Sequence, residues 1–166
     1  MRGVPNCPAM TTITDAARPL KLMALDADDL TVLSALMQDA ITRGGEMRYL
    51  ERERAFVLVG DRLAREAGEE RSGLLKRTTA RQRRRTALDL RRVSGVKLRG
   101  LDPRADDEPL VLLAVTFEEA DRGAGGSVTL AFAGGATVRC DVETVEARLT
   151  DLGPAWKSEA SPDHAA

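Results

Sequence analysis

The stretch SVTLAFAGGATVRCDVETVEARLTDLGPAW, residues 127–156, decides the fold. Ser127 to Ala133 alternates, with Val128, Leu130 and Phe132 on one side and Thr129, Ala131 and Ala133 on the other, as a half-buried strand does. Gly134-Gly135 supplies the positive-φ positions of a tight hairpin turn. Ala136 to Cys140 then returns as a second strand, with Ala136, Val138 and Cys140 on one face. From Asp141 the period changes to about 3.6, and Val142, Val145, Leu149 and Leu152 fall on one helical stripe. Asp141 suits the N-cap of that helix, Glu143 its positive end, and Gly153-Pro154 its stop. Trp156 is then an anchor covering the helix. Strand, turn, strand and helix cannot bury their apolar faces alone, so the rest of the chain completes the core.

Working outward, Leu20 to Leu25 reads as a short strand and Asp26 as the cap of a helix. Asp28 and Asp29 favour its first turn. Leu30, Leu33, Leu36, Met37 and Ala40 give that helix an apolar face, and Gly44-Gly45 ends it. Glu46 to Leu50 and Ala55 to Leu63 read as strands joined by the charged turn Glu51-Arg52-Glu53-Arg54. Residues 64–85 have no sustained period and read as a basic, partly flexible connection. Thr86 to Arg99 alternates again, with a bend or bulge at Ser94-Gly95. Leu101 to Pro109 is a surface loop, Leu110 to Phe117 a central strand buried on both faces, and Gly123 to Ser127 a flexible hairpin connection.

The expected class is α+β: a mostly antiparallel curled sheet or partly open small barrel of about six to eight strands, with an N-terminal and a C-terminal helix packed on it. Strands followed by one last helix also resemble the order of elements in pleckstrin-homology-type domains. Residues 19–157 form one domain. Residues 1–18 are expected to be a disordered leader and 158–166 a disordered tail.

The formal net charge of −1 conceals segregation, because residues 71–101 hold 11 Lys/Arg against one Asp while residues 102–166 hold 13 Asp/Glu against 5 Lys/Arg. Arg71, Lys76, Arg77 and Arg81 lie in the connection, and the candidate binding residues are Arg83, Arg84, Arg85, Arg91, Lys97 and Arg99. If these six share a face, they attract an acidic protein partner or nucleic acid. The alternative is a solvated face neutralised by the chain's own acidic C-terminal third, including Asp106, Asp107 and Glu108. Aromatic residues, at 3% of the chain, offer few platforms for stacked bases.

Catalytic constellations are scarce. His164 is the sole histidine, which argues against a triad or a histidine metal site built within one chain. Cys140 precedes the expected helix, where a thiolate is favoured, yet it shares the inward phase of Val138 and is expected to be buried and inert. Gly123-Ala124-Gly125-Gly126-Ser127 runs into a strand and lacks the lysine of a phosphate loop. The carboxylate sets Asp26, Asp28 and Asp29, and Asp141, Glu143 and Glu146, stand at expected helix starts, where capping explains them. A non-catalytic module without cofactor or metal is expected. Two distant cysteines, no apolar run near the ~20 residues that span a bilayer, and no secretory h-region point to the cytoplasm and away from membranes.

Three segments carry a resemblance: Leu20-Lys21-Leu22-Met23-Ala24-Leu25-Asp26-Ala27-Asp28-Asp29-Leu30, the Met47 to Phe56 hairpin, and Ala131-Phe132-Ala133-Gly134-Gly135 through Asp151-Leu152-Gly153-Pro154-Ala155-Trp156. Together they resemble an uncharacterised alphaproteobacterial domain-of-unknown-function family (DUF2948-like) over most of residues 20–157. That resemblance implies a bacterial cytoplasmic protein and brings no activity or functional residues with it.

Overall fold

The computed structural model describes residues 18–65, 82–102 and 104–157. The expected leader, the expected tail and most of the basic connection lie outside the described residues. Among those described there are ten strands and one α-helix: β1 (Lys21–Ala24), α1 (Ala27–Met37), β2 (Ile41–Leu50), β3 (Ala55–Leu63), β4 (Gln82–Leu90), β5 (Val93–Arg99), β6 (Pro109–Glu119), β7 (Gly126–Phe132), β8 (Thr137–Val142), β9 (Ala147–Asp151) and β10 (Trp156–Lys157).

Every pairing is antiparallel, and nine strands run in the order β1-β9-β4-β3-β2-β6-β7-β8-β5, with β10 beside β4. The two ends of this path are joined by bends. β4 passes into β5 through Arg91-Arg92, and β8 passes into β9 through residues 143–146, so one long bent strand pairs with another. Arg92 turns the corner at φ 58, and the corner is tied by Arg91 N–H to Glu146 O at 2.8 Å and Glu143 N–H to Arg92 O at 3.1 Å. Traced through the bends, pairing runs from β2 through β3, β4–β5, β9–β8, β7 and β6 back to β2.

Asp26 caps α1, accepting from Asp29 N–H at 2.8 Å, and Leu30, Leu33 and Met37 bury its inner face. The helix packs on β6, β1 and β3. Its Ser34 hydroxyl accepts from Val115 N–H at 2.8 Å, beside the irregularity in the β6–β7 ladder. The core is one cluster: Leu58, Leu88 and Leu149 stand in register across β3, β4 and β9, and Val115, Leu130 and Val138 across β6, β7 and β8.

The expected C-terminal helix is absent. Residues 141–152 are the end of β8, a turn and β9, and the pleckstrin-homology-like order of elements falls with the helix. The misleading feature is the 3-4-3 spacing of Val142, Val145, Leu149 and Leu152. The inward set is really Val145, Ala147, Leu149 and Asp151, a period of two whose last member is charged. The β-branched Val142, Thr144, Val145 and Thr150 favour the extended chain. Trp156 therefore covers no helix; it stands 42% exposed in β10, opposite Arg83.

Three smaller corrections follow from the fold. Gly44-Gly45 does not end α1, which stops at Met37. The pair lies where β2 leaves register with β3 between Thr42 and Met47, and Asp106 packs against Gly45. Arg83, Arg84 and Arg85 belong to β4 and not to a loop. β6 is not buried on both faces, since Leu113 is 45% exposed.

Candidate functional site

Successive residues of a strand face opposite ways, so three consecutive arginines in β4 cannot form one patch. Arg84 points inward. With Arg62 and Thr86 it surrounds Asp151: Arg62 Nε and Nη2 donate to the two carboxylate oxygens at 2.9 and 2.8 Å, Thr86 Oγ1 donates to Oδ1 at 2.7 Å, and Arg84 Nε lies 3.7 Å from Oδ2. Leu20 N–H also donates to Oδ2, at 2.7 Å. The side chains of Arg62, Arg84 and Asp151 are buried, which makes this network part of the core and closes it to ligands. Arg83 and Arg85 face outward. Arg83 Nη1 donates to Asp61 O at 3.0 Å, and Arg85 forms ion pairs with Glu46 and Asp61. Arg91 pairs with Asp89 at 2.7 Å. These four arginines engage the chain's own groups; of the acids involved, Asp151 comes from the acidic C-terminal third, while Asp61, Glu46 and Asp89 come from earlier strands and Asp106, Asp107 and Glu108 pair with none of the four.

Lys97 and Arg99 are placed differently. Both lie beyond the corner on β5, which among the described residues pairs with β8 alone at one end of the strand path. The register sets Lys97 directly opposite Arg139 and Arg99 opposite Thr137. Like charges facing across a strand pair are unfavourable. One carboxylate serves both: Asp141 lies 3.8 Å from Lys97 Nζ and 3.5 Å from Arg139 Nε. The Lys97 side chain is 75% exposed, and among the described residues Arg99 makes no ion pair. On the opposite face of the same strand, Leu98 continues the apolar row of Val138, Leu130 and Val115, yet it is 55% exposed where they are buried. The edge of the sheet thus presents an unfinished apolar row on one face and three cations on the other.

Arg139 was not among the sequence-derived candidates. Alternation in residues 136–140 does turn it away from Cys140, but its partner strand lies some forty residues earlier and only the folded register joins the two.

The remaining candidates have structural roles. Cys140 is fully buried; burial, helped by the Asp141 charge, pushes its thiol up to about 12. Asp141, Glu143 and Glu146 cap no helix and pair with Lys97, Arg54 and Arg92. A polar cleft of about 500 Å³ opens between Arg43, Glu46, Asp61, Arg85 and Asp106, where Arg85 already bridges Glu46 and Asp61. Among the described residues no group of three His, Cys, Asp or Glu could hold a metal ion, and no helix is long and apolar enough to cross a membrane.

Among the described residues, fold and surface define an antiparallel β protein with one covering helix and a charged sheet edge. The chain belongs to the family described as protein of unknown function DUF2948, matched over residues 20–164. No curated protein and no solved structure matches it.

Proposed function

We propose that this protein is a non-catalytic binding module of the bacterial cytoplasm that engages an acidic protein partner through the β5 edge. The observation that supports this most directly is the pairing of Lys97 and Arg139 with the single carboxylate of Asp141, and Arg99 two residues further along the same face, on a strand that has one paired side among the described residues. Arginine binds carboxylates bidentately, and a group of cations around one acid leaves a positive field at the surface. A protein partner is favoured over nucleic acid because Arg83 donates to the Asp61 carbonyl, Arg84 and Arg85 are engaged by Asp151, Glu46 and Asp61, and β5 carries no aromatic side chain on which a base could stack. The free thiol of Cys140 is in keeping with a reducing compartment.

Retention on immobilised polyglutamate and on single-stranded RNA, measured across a salt series, tests this reading. The wild-type protein is expected to hold to polyglutamate at low salt. The triple variant Lys97→Ala, Arg99→Ala, Arg139→Ala should bind about tenfold more weakly, with folding stability changed by no more than about 0.5 kcal/mol. Equal retention of the triple variant, or stronger retention on RNA than on polyglutamate, overturns the reading.

A further inference from the structure

Resting on the reading of the basic edge as the partner site, we propose that the partner contributes an extended acidic segment that adds to β5 as a further antiparallel or parallel strand. An edge strand has one column of backbone N–H and C=O groups directed away from its sheet neighbour, and strand addition supplies their partners. Among the described residues β5 pairs with β8 alone, apart from Val93 N–H, which donates to Arg54 O at 2.9 Å at its beginning. Ser94, Lys97, Leu98 and Arg99 are all exposed.

Side chains then set the sequence of the incoming segment. Neighbours across a strand pair share a face. The residue beside Leu98 extends the inner row of Val138, Leu130 and Val115 and is therefore apolar. The residues flanking it lie on the outer face beside Lys97 and Arg99 and are therefore acidic. The motif is acidic–apolar–acidic. A second copy of this chain fits poorly, because β5 against β5 brings Lys97 and Arg99 near the same cations of the other copy.

The test uses the full chain and seven-residue peptides, the length of β5, in which Glu alternates with Val. Three fluorescently labelled forms are compared: the parent, one N-methylated at its odd residues and one at its even residues. N-methylation keeps side chains and charge but removes one column of backbone donors. Strand addition predicts that one methylated form loses binding by about tenfold or more, while the other stays within about threefold of the parent. Leu98→Ser should weaken the parent peptide by about fivefold. If both methylated forms bind like the parent, and binding still needs Lys97 and Arg99, the charge reading stands and strand addition is overturned. If no peptide binds, or if the chain self-associates through Leu98 instead, both are overturned.

Discussion

Replacing Asp151 with alanine is expected to lower folding stability by about 3–5 kcal/mol, a large share of the 5–15 kcal/mol typical of a domain. Asp151 lies at the end of β9 on the inner face, where its two oxygens accept from Arg62, Thr86 and Leu20 N–H. Removing it leaves two buried guanidinium groups, Arg62 and Arg84, without their shared carboxylate. It also removes the side-chain bond to Leu20 N–H at the entry to β1, leaving there the backbone bond from Asp151 N–H to Leu20 O. Burial pushes the Asp151 carboxyl upward, but the hydrogen bonds from Arg62, Thr86 and Leu20, together with the Arg62 charge, outweigh burial and hold it below its ordinary value.

A depressed folded pKa contributes stability above the unfolded value, about 3.9 for Asp, and that contribution is lost as pH falls through the folded value. Asp151→Asn keeps the shape and removes the titration. Urea unfolding from pH 7 to pH 3 should show wild type well above Asp151→Asn at neutral pH, with the gap closing below about pH 4. A gap that stays constant across the range, or an alanine variant of wild-type stability, contradicts the account of the core.

The second large effect lies at the start of β7. Gly125 is held at φ +101, and a Cβ there would stand 2.4 Å from Val142 O. At Gly126 a Cβ would stand 2.1 Å from Glu118 O and 2.7 Å from the Phe117 ring. Both obstacles are backbone carbonyls in paired strands, so relief requires shifting the β6–β7 or β7–β8 ladder. Gly125→Ala and Gly126→Ala are each expected to cost about 3 kcal/mol or more. Gly153→Ala, with open space around it, should stay within about 0.5 kcal/mol. Chemical denaturation of the three variants decides it, and Gly125→Ala or Gly126→Ala matching Gly153→Ala would count against the packing described.

These glycines also show how much of the fold the sequence discloses. Composition suggests a flexible connection at residues 123–127, whereas the requirement at Gly125 and Gly126 comes from carbonyls of β6 and β8 that only the fold brings near. Local chemistry is readable where it is self-contained. Asp26 caps α1, Glu51–Glu53 forms the turn between β2 and β3, and Gly134-Gly135 turns the chain between β7 and β8. Reading fails where a charged residue occupies an inward position. Asp151 in β9 and Arg84 in β4 break the apolar alternation, so β9 looks helical and the start of β4 looks like loop. Both residues are buried because they meet each other across strands distant in sequence.

The candidate site divides along the same line. Lys97 and Arg99 are visible as outward residues of an alternating stretch, with Leu98 between them. That β5 ends the path, and that Arg139 and Asp141 lie beside it, depends on pairing over some forty residues. The arginine run Arg83-Arg84-Arg85, the most conspicuous basic feature of the sequence, is spent on intramolecular contacts.

Amide hydrogen exchange across β5 reads out whether an acidic segment adds to its free side. In the free protein, alternate amides of residues 94–99 should exchange rapidly while their neighbours, bonded to β8, are protected. Adding the parent Glu–Val peptide should slow the fast set and leave the amides of β3 unchanged. Fast amides that stay fast at saturating peptide, or protection appearing on β3 and β4 instead, would contradict strand addition.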